Sequence, residues 1–488
     1  MGRQKEYKCR GYLTIYISLT LTVMLSLCLT LIEAARQSTI RLETECAMDI
    51  ALNSIMAEYH RELFEQYNLF FIDSAYGSAY PSYYNTEARL KYYLEQNLNP
   101  EEATYFDLLY KDMLGLETEG VYLKSVALAT DEGGRLFQKQ AAEAVWEDTG
   151  LGIANEVLGW VQTVESEGLL SRDIEAEKQA IDAQLASHNN TQRQLEEEQW
   201  ITVKIKNPTE HMNTMRKQGV LKWVLEDTVL LSGQKVELRQ YISARRRRGQ
   251  INQGNVLIDV KLSEIEKILC HAYMLRYAGH YGQEKEGSLL KYQAEYLVAG
   301  EAKDTDNLRK VANTICGIRE VANTIYLYQD KEKEKLADAV AWLCAAVIFC
   351  PDLQPLFKAS LLLGWAYIES LYDTKLILAG GKVPLMKTKA DWHYDLDSIL
   401  ESVSLQLRKG EKAGKGLDYT DYLHILLYLT DMEKLTFRFM DLMEMDIRLT
   451  EGNEAFRMDA CIGQVEAEVS LQSGYGYHYT ILRQKGYR

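Results

Sequence analysis

The sequence predicts a mainly α protein with a small β component (α+β), a helical ectodomain hung from one N-terminal transmembrane helix. Three observations carry this. Gly11 to Ile32 is a run of 22 residues without a charge. Helical spacing then continues, with neither Pro nor Gly, as far as Tyr76. The chain as a whole has 47% hydrophobic residues and only 6 Pro, which suits packed, mostly helical cores.

The uncharged run is long enough to cross a bilayer. At about 1.5 Å per residue it spans roughly 33 Å, against a hydrocarbon core of about 30 Å. It holds seven Leu and three Ile, which favour insertion by roughly 5 kcal/mol at about 0.5 kcal/mol each. A cleaved signal peptide would have a shorter apolar region ending in small residues. Here Glu33 precedes Ala34-Ala35, and Leu27 is too large for the lipoprotein-like Leu25-Ser26-Leu27-Cys28. The expected segment is therefore an uncleaved anchor. Arg3, Lys5, Lys8 and Arg10 precede it, and only Arg36 and Arg41 follow closely. That bias predicts a single-pass protein of the cell membrane, with a cytoplasmic N-terminus and an extracellular ectodomain.

Within the anchor, Thr14, Ser18, Thr22, Ser26 and Thr30 recur every four residues and form a slanted hydroxyl ridge. Small residues at this spacing let two membrane helices approach closely, which predicts helix pairing and a possible homo-oligomer. The alternative is that each hydroxyl bonds the carbonyl one turn back and packs on nothing. Glu33 and Arg36, one turn apart at the membrane exit, are placed to pair.

Beyond the anchor the expected order is a stalk helix over 36–77, a first ectodomain part over 78–262 and a helical part over 263–488. The cytoplasmic segment is 1–10 and the transmembrane segment 11–35. On the stalk, Leu52, Ile55, Met56, Tyr59, Leu63, Tyr67 and Phe70 make one apolar stripe that needs cover. Residues 86–98 and 134–165 read as helices. Residues 120–128 alternate as a strand, and 458–471 alternate enough to pair with it. The polar stretch 171–200 reads as a long exposed helix, with Ile174, Ile181, His188 and Leu195 seven apart. Helical patterns fill 263–328. The apolar runs 336–350 and 356–378 are interrupted by charges and read as a buried helix pair rather than membrane spans. A turn at Gly380-Gly381 and Pro384 precedes helices over 395–408 and 420–449.

Formal charge is −15, and residues 1–36 carry +3 from five basic and two acidic side chains, leaving −18 outside. Such a surface repels nucleic acid and anionic membrane. Tyr is frequent at 32 against 10 Phe, which suits large half-wet contacts. The 8 Cys are scattered with no CxxC pair, so no disulfide framework is expected, though one bridge is allowed. Arg245, Arg246, Arg247 and Arg248 form the one basic cluster outside, either a site for an anionic polymer, lipid or protein or a solvated loop.

No signature of a reaction stands out. The 8 His never share the one-turn spacing of a zinc helix, and no GxSxG or GxGxxG exists. Gly410 to Lys415 is one residue short of a phosphate loop. Asp304 and Asp306 suit a helix start, not a calcium loop. Asp391, Asp395 and Asp397 around His393 are the densest polar group, and Trp392 among them reads as a structural loop. Catalytic, cofactor and metal residues are therefore expected to be none.

Two resemblances add to this. Arg10-Gly11, the hydroxyl-rich helix, Ile32-Glu33 and Arg36 resemble the N-terminus of pseudopilin-like (TadE/TadG-like) components of the tight-adherence (Tad/Flp) pilus. The resemblance implies pilus assembly proteins as partners and Gly11 as a processing site. Processed members carry Glu five residues after the cleaved Gly, and Tyr16 stands there, which argues against cleavage and filament assembly. The rest of the chain is similar to a family of membrane-anchored proteins of Gram-positive anaerobes, a domain of unknown function often encoded beside such pilus genes. The residues that carry this are Ala57 to Leu63, Glu295-Tyr296 to Gly300 with Asn307-Leu308, Arg319-Glu320 with Asn323, Trp365 with Glu369-Ser370, and Gly380 to Leu385 with Lys387 and Trp392. It implies no reaction. The leading expectation is a membrane-anchored structural or assembly component of a Tad-like pilus or secretion apparatus. A surface enzyme acting on wall polymers and an extracytoplasmic sensor are the alternatives.

Overall fold

The computed structural model describes residues 10–98, 114–190, 192–196, 199–202, 204–246, 262–400 and 414–487. Elements in chain order are α1 (Arg10–Met56), α2 (Arg61–Tyr67), β1 (Ile72–Asp73), α3 (Tyr83–Leu98) and β2 (Glu117–Leu128). There follow α4 (Arg135–Ser166), α5 (Ile174–Ser187), β3 (Gln192–Glu196), β4 (Gln199–Thr202), α6 (Glu210–Gln218), α7 (Val220–Val224), α8 (Glu264–Tyr277) and α9 (Gln293–Ala299). Then come α10 (Asp304–Gln329), α11 (Lys331–Val347), α12 (Gln354–Leu378), α13 (Leu396–Leu400), α14 (Tyr419–Leu429) and α15 (Met432–Ile447), before β5 (Cys461–Gln472) and β6 (His478–Gly486). This is the mainly helical α+β fold expected. The chain divides into two units. One comprises residues 1–132, 248–259 and 451–488, the other 133–247 and 260–450.

In the first unit, α1 changes character along its 47 residues. Its N-terminal half is exposed all round; Leu19, Leu25 and Leu31 are 64%, 60% and 62% accessible. It is the one helix among the described residues long and apolar enough to cross a membrane. From Ile40 onward, Ala47, Met48, Ala51, Leu52 and Ile55 recur at steps of three, four and seven and are buried. They pack, with Leu90 and Leu94 of α3, against one face of an antiparallel sheet. Strand β5 is central, with β2 on one side and β1 and β6 on the other. Val121 stands opposite Val469 and Val126 opposite Val465, so the expected pairing of 120–128 with 458–471 is the one found. Alternate residues of β5 are buried, as a strand with one covered face requires.

The stalk expectation needs correction. The helix does not run to Tyr76 but ends at Met56. His60 then caps α2, its Nδ1 accepting from the Leu63 amide at 3.2 Å while Nε2 lies 3.0 Å from Asn453 Oδ1. The His60 amide donates to Phe71 O at 2.8 Å. Contacts to distant chain thus replace the helical bonds lost at the break. Asn68, at φ 52°, closes α2 in the left-handed conformation that Asn tolerates.

In the second unit, α12 is buried almost without interruption from Ser360 to Leu378 and packs on α10 and α11. Helix α11 is not the buried partner expected. It buries Ala337, Ala341 and Ala345, a row of small residues that lets α12 approach, and exposes Leu336, Trp342, Leu343 and Val347. The polar stretch 171–200 is also corrected. Helix α5 stops at Ser187, capped by His188, and the chain turns into the β3–β4 hairpin. The seven-residue repeat fails because His188 leaves the helix. The helix expected over 420–449 is two, divided at Thr430-Asp431, where Asp431 caps α15. Residues 401–408 of the preceding helix and 410–413 of the Gly410–Lys415 segment lie outside the described residues. No disulfide is formed among the described Cys.

Candidate functional site

Apart from Ala57 to Leu63, which lie in the first unit, the residues that carry the family resemblance come from separate segments of the second unit, and several of them meet there. Arg319 and Asn323 lie one turn apart on α10; Glu369 and Asp373 lie one turn apart on α12. All four are fully buried. Arg319 Nε donates to Asp373 Oδ2 at 3.0 Å, and its Nη1 donates to the carbonyls of Pro384 and Leu385 at 2.8 and 2.7 Å. Asn323 donates to the same Asp373 oxygen at 3.0 Å. Lys387, also without side-chain exposure, ion-pairs with Glu369 and lies 2.6 Å from Asp373 Oδ1. Two buried cations therefore balance two buried carboxylates. Burial alone would raise the pKa of Asp373, but Lys387 and Arg319 hold it below the usual carboxylate range.

Glu369 reaches further. Its Oε1 lies 3.0 Å from His393 Nδ1, and the amides of His393 and Tyr394 donate to its two oxygens at 3.1 Å. Trp365 and Trp392 both donate to Tyr394 O at 2.7 Å, and Trp392 stacks on Tyr326 at 5.1 Å. The loop around His393 is thus fixed from inside by one carboxylate and roofed by indoles. Asp391 caps its own turn, accepting from Thr388 Oγ1 at 2.6 Å, as the structural reading of that loop expected.

Glu369, Asp373 and His393 present atoms within 4.8 Å of one another, close enough to hold a metal ion. The donor set does not fit one, because the Lys387 ammonium already sits on both carboxylates. A divalent ion would have to expel a buried cation and leave it unpaired. The cluster is a charge-neutral ionic core that positions α10, α12 and the 384–394 loop. Sequence reading missed it, although the signal was present. Two acids one turn apart in an otherwise apolar helix must meet cations, and Arg319 and Lys387 are those cations.

Three more resemblance residues of this unit, Glu295, Tyr296 and Asn307, make buried polar contacts of their own. Tyr419 donates to Glu295 Oε1 at 2.6 Å and the Tyr281 amide adds a bond at 2.8 Å. Burial pushes Glu295 up to about 7. Tyr296 donates to Asp441 at 2.7 Å, and burial pushes that carboxyl up to about 6. Asn307 bonds both the amide of Glu301 and its carbonyl. Asp304 opens α10, accepting from Ser232 and the Lys291 amide, as a helix start and not a calcium loop.

The other expected sites stand as follows. Gly11 lies in the first turn of α1. Thr14, Ser18, Thr22, Ser26 and Thr30 are all exposed along α1; Thr22 donates to Ser18 O at 2.8 Å and Thr30 to Ser26 O at 3.0 Å. Arg36 and Glu33 pair at 2.7 Å. Of the basic patch, only Arg245 and Arg246 are among the described residues, and the two differ. Arg245 forks onto buried Glu444 at 2.5 and 2.6 Å, because a fully buried carboxylate demands a cation. Arg246 is exposed, and Arg247 and Arg248 lie outside the described residues.

Residues 198–473, more than half the chain, match the family described as "Family of unknown function (DUF5702)". The protein belongs to this family. No curated protein and no solved structure matches the chain.

Proposed function

We propose that this protein is a membrane-anchored, extracytoplasmic structural or assembly component of a surface apparatus of the Tad-like pilus kind. The carrying observation is the dual nature of α1. Its apolar half is bare, while its other half is part of the core beneath the β-sheet. An anchor built this way is no loose tether, because displacement of the membrane helix moves a folded sheet. That suits a component held against other membrane helices. The N-terminal basic bias favours a cytoplasmic end and an exported ectodomain.

The hydroxyl ridge is the surface for such pairing. Thr22 and Thr30 satisfy their hydrogens on their own helix, so the ridge can pack closely without stranding a donor in lipid. Partners are the bilayer, platform membrane proteins and a second copy of the anchor. The test is recovery of pilus platform proteins with the full chain from detergent extracts. Replacing Ser18, Thr22 and Ser26 by Leu should abolish that recovery while membrane insertion persists. Unchanged association in the triple variant would overturn the reading.

A further inference from the structure

Helix α11 carries two apolar faces, and the second unit uses one of them. Ala337, Ala341 and Ala345 are buried on the side that packs against α12. On the other side Leu336, Trp342, Leu343 and Val347 are 47–77% exposed, with Ala339 and Ala346 exposed among them. At about 100° per residue these six fill one arc about 140° wide. A helix that is apolar all round is ordinarily covered all round, so the last three turns of α11 are built for a second neighbour. Phe349, just past the helix end, extends the face. Its ring is exposed although its φ of 53° disfavours any residue with a Cβ. A position that suits glycine thus holds an aromatic ring in solvent.

The pattern within this arc selects the kind of partner. Leu336, Ala339, Leu343 and Ala346 are spaced three, four and three, the seam that receives another helix. The charges of α11 stay in its first turns, from Lys331 to Lys335, and the one acid beyond them, Asp338, accepts from Gln354 and lies 3.5 Å from Lys358. The seam therefore offers nothing to an ion or a polar ligand. At roughly 100 Å² each, the five large side chains present about 500 Å² of apolar surface, the upper end for one patch on a monomer. Two such faces together bury about 1,000 Å², enough for a specific but weak interface.

We infer that this face pairs with the same face of a second copy of the chain, α11 against α11, antiparallel about a two-fold axis. The seam is complementary to itself in that arrangement. With the axis between Trp342 and Leu343, each Leu343 meets Trp342 of the second copy, Ala339 meets Ala346, and Leu336 meets Phe349. The alanine pairs let the helices approach between the bulky contacts. Such a contact is isologous and closes at two copies. No charge lies at its centre, so the net charge of −15 opposes it only at long range, and salt relieves that repulsion. An interface of this size gives a Kd of about 10 µM, which leaves the face free below about 1 µM. The pairing does not rest on the proposed membrane role; anchoring in one bilayer only raises the local concentration of the copies.

The test is sedimentation equilibrium of the full chain in density-matched micelles, at about 1 to 100 µM. The chain carries Ser18→Leu, Thr22→Leu and Ser26→Leu, so pairing of the membrane helices does not contribute and the outcome is separate from that of the hydroxyl ridge. It should pass from one copy to two with a midpoint near about 10 µM, and more tightly as salt rises. Leu343→Glu and, separately, Ala346→Gln should weaken pairing about tenfold or more at unchanged Tm, because both positions are exposed in the single copy. Phe349→Gly should weaken it about threefold without lowering Tm. Leu230→Glu, which changes an equally exposed apolar residue in a turn of the same unit, should leave pairing as it is. A single copy at every concentration, growth past two copies, or pairing that survives Leu343→Glu overturns the inference.

Discussion

Tyr477 donates its hydroxyl to the carboxylate of Glu33, joining the β5–β6 hairpin to the level at which the bare half of α1 ends. Arg36, paired with Glu33 at 2.7 Å, lies over the ring of Tyr475 at 4.0 Å. One hairpin thus grips both residues of this pair. Lower down, Tyr479 and Arg483 of β6 reach Glu45 at 3.2 and 3.3 Å, and Tyr487 donates to Met56 O at 2.5 Å. The second half of α1 is thus held at intervals, at Glu33, Arg36, Glu45 and Met56, by the β5–β6 hairpin and the chain that follows it.

This clamp makes a measurable prediction. Glu33 and Arg36 are partly exposed, so the Tyr477 bond is worth about 1 kcal/mol, at the low end for a charged acceptor. Tyr477→Phe should therefore speed amide exchange over residues 33–44 about fivefold, with exchange in the sheet core unchanged. Hydrogen exchange read by mass spectrometry on the chain in micelles measures this. Equal exchange in variant and wild type would mean that the hairpin does not hold the helix.

What was legible in the sequence follows from range. The long apolar helix, the Glu33–Arg36 pair and the β2–β5 pairing are local features of the sequence, and each was readable. The end of α1 was not. Nothing local stops a helix at Ala57-Glu58-Tyr59; the break is held by Asn453 and Phe71, distant in sequence from His60 or reached only after α2. The two-residue β1 and the polar β3–β4 hairpin are too short or too polar to show a period. The ionic core was half legible. Glu369 and Asp373 stood out as charges inside an apolar run, but their cations come from α10 and from a loop, which no spacing reveals.

The ionic core should behave as a balanced set. Lys387→Met leaves Glu369 and Asp373 with one cation between them, a loss of about 3–5 kcal/mol for an uncompensated buried charge. Adding Glu369→Gln restores neutrality and should return roughly half of that, a coupling read from a double-mutant cycle. All 7 Trp lie in the second unit, so tryptophan fluorescence in urea follows this unit alone. Zinc should leave the wild-type midpoint unmoved, because the ammonium holds the carboxylates. Additive losses in the cycle would show that the two side chains are not coupled.

Glu295 gives a pH signature. Its native carboxyl titrates near 7, raised from 4.5 by burial. Between those values the native state keeps a proton that the unfolded chain has released, so stability falls as pH rises through that window. The shift corresponds to about 3 kcal/mol. Glu295→Gln keeps an acceptor for Tyr419 and for the Tyr281 amide and cannot ionise. Its stability should match wild type below pH 4.5 and exceed it by a margin that grows to about 3 kcal/mol at pH 7 and then stays level. Unfolding curves of the pair between pH 4 and 8 measure the difference, and a difference that does not grow with pH would refute the assignment.

Phe349 closes α11 at a position that suits glycine. The Phe349 amide donates to Ala346 O at 3.0 Å and the Cys350 amide to Ala345 O at 2.9 Å, the pair of bonds that ends a helix through a left-handed residue. Phe349 adopts φ 53° to make them, a conformation that costs a residue with a Cβ roughly 1 kcal/mol. Its ring recovers little by burial, being 56% exposed beside Val347 at 77%. Phe349→Gly should therefore stabilise the second unit by about 1 kcal/mol, a rise of roughly 2 °C in Tm for a unit of this size. Thermal unfolding followed by tryptophan fluorescence reads it. A fall in Tm would show instead that the ring, despite its exposure, packs well enough to outweigh the backbone strain.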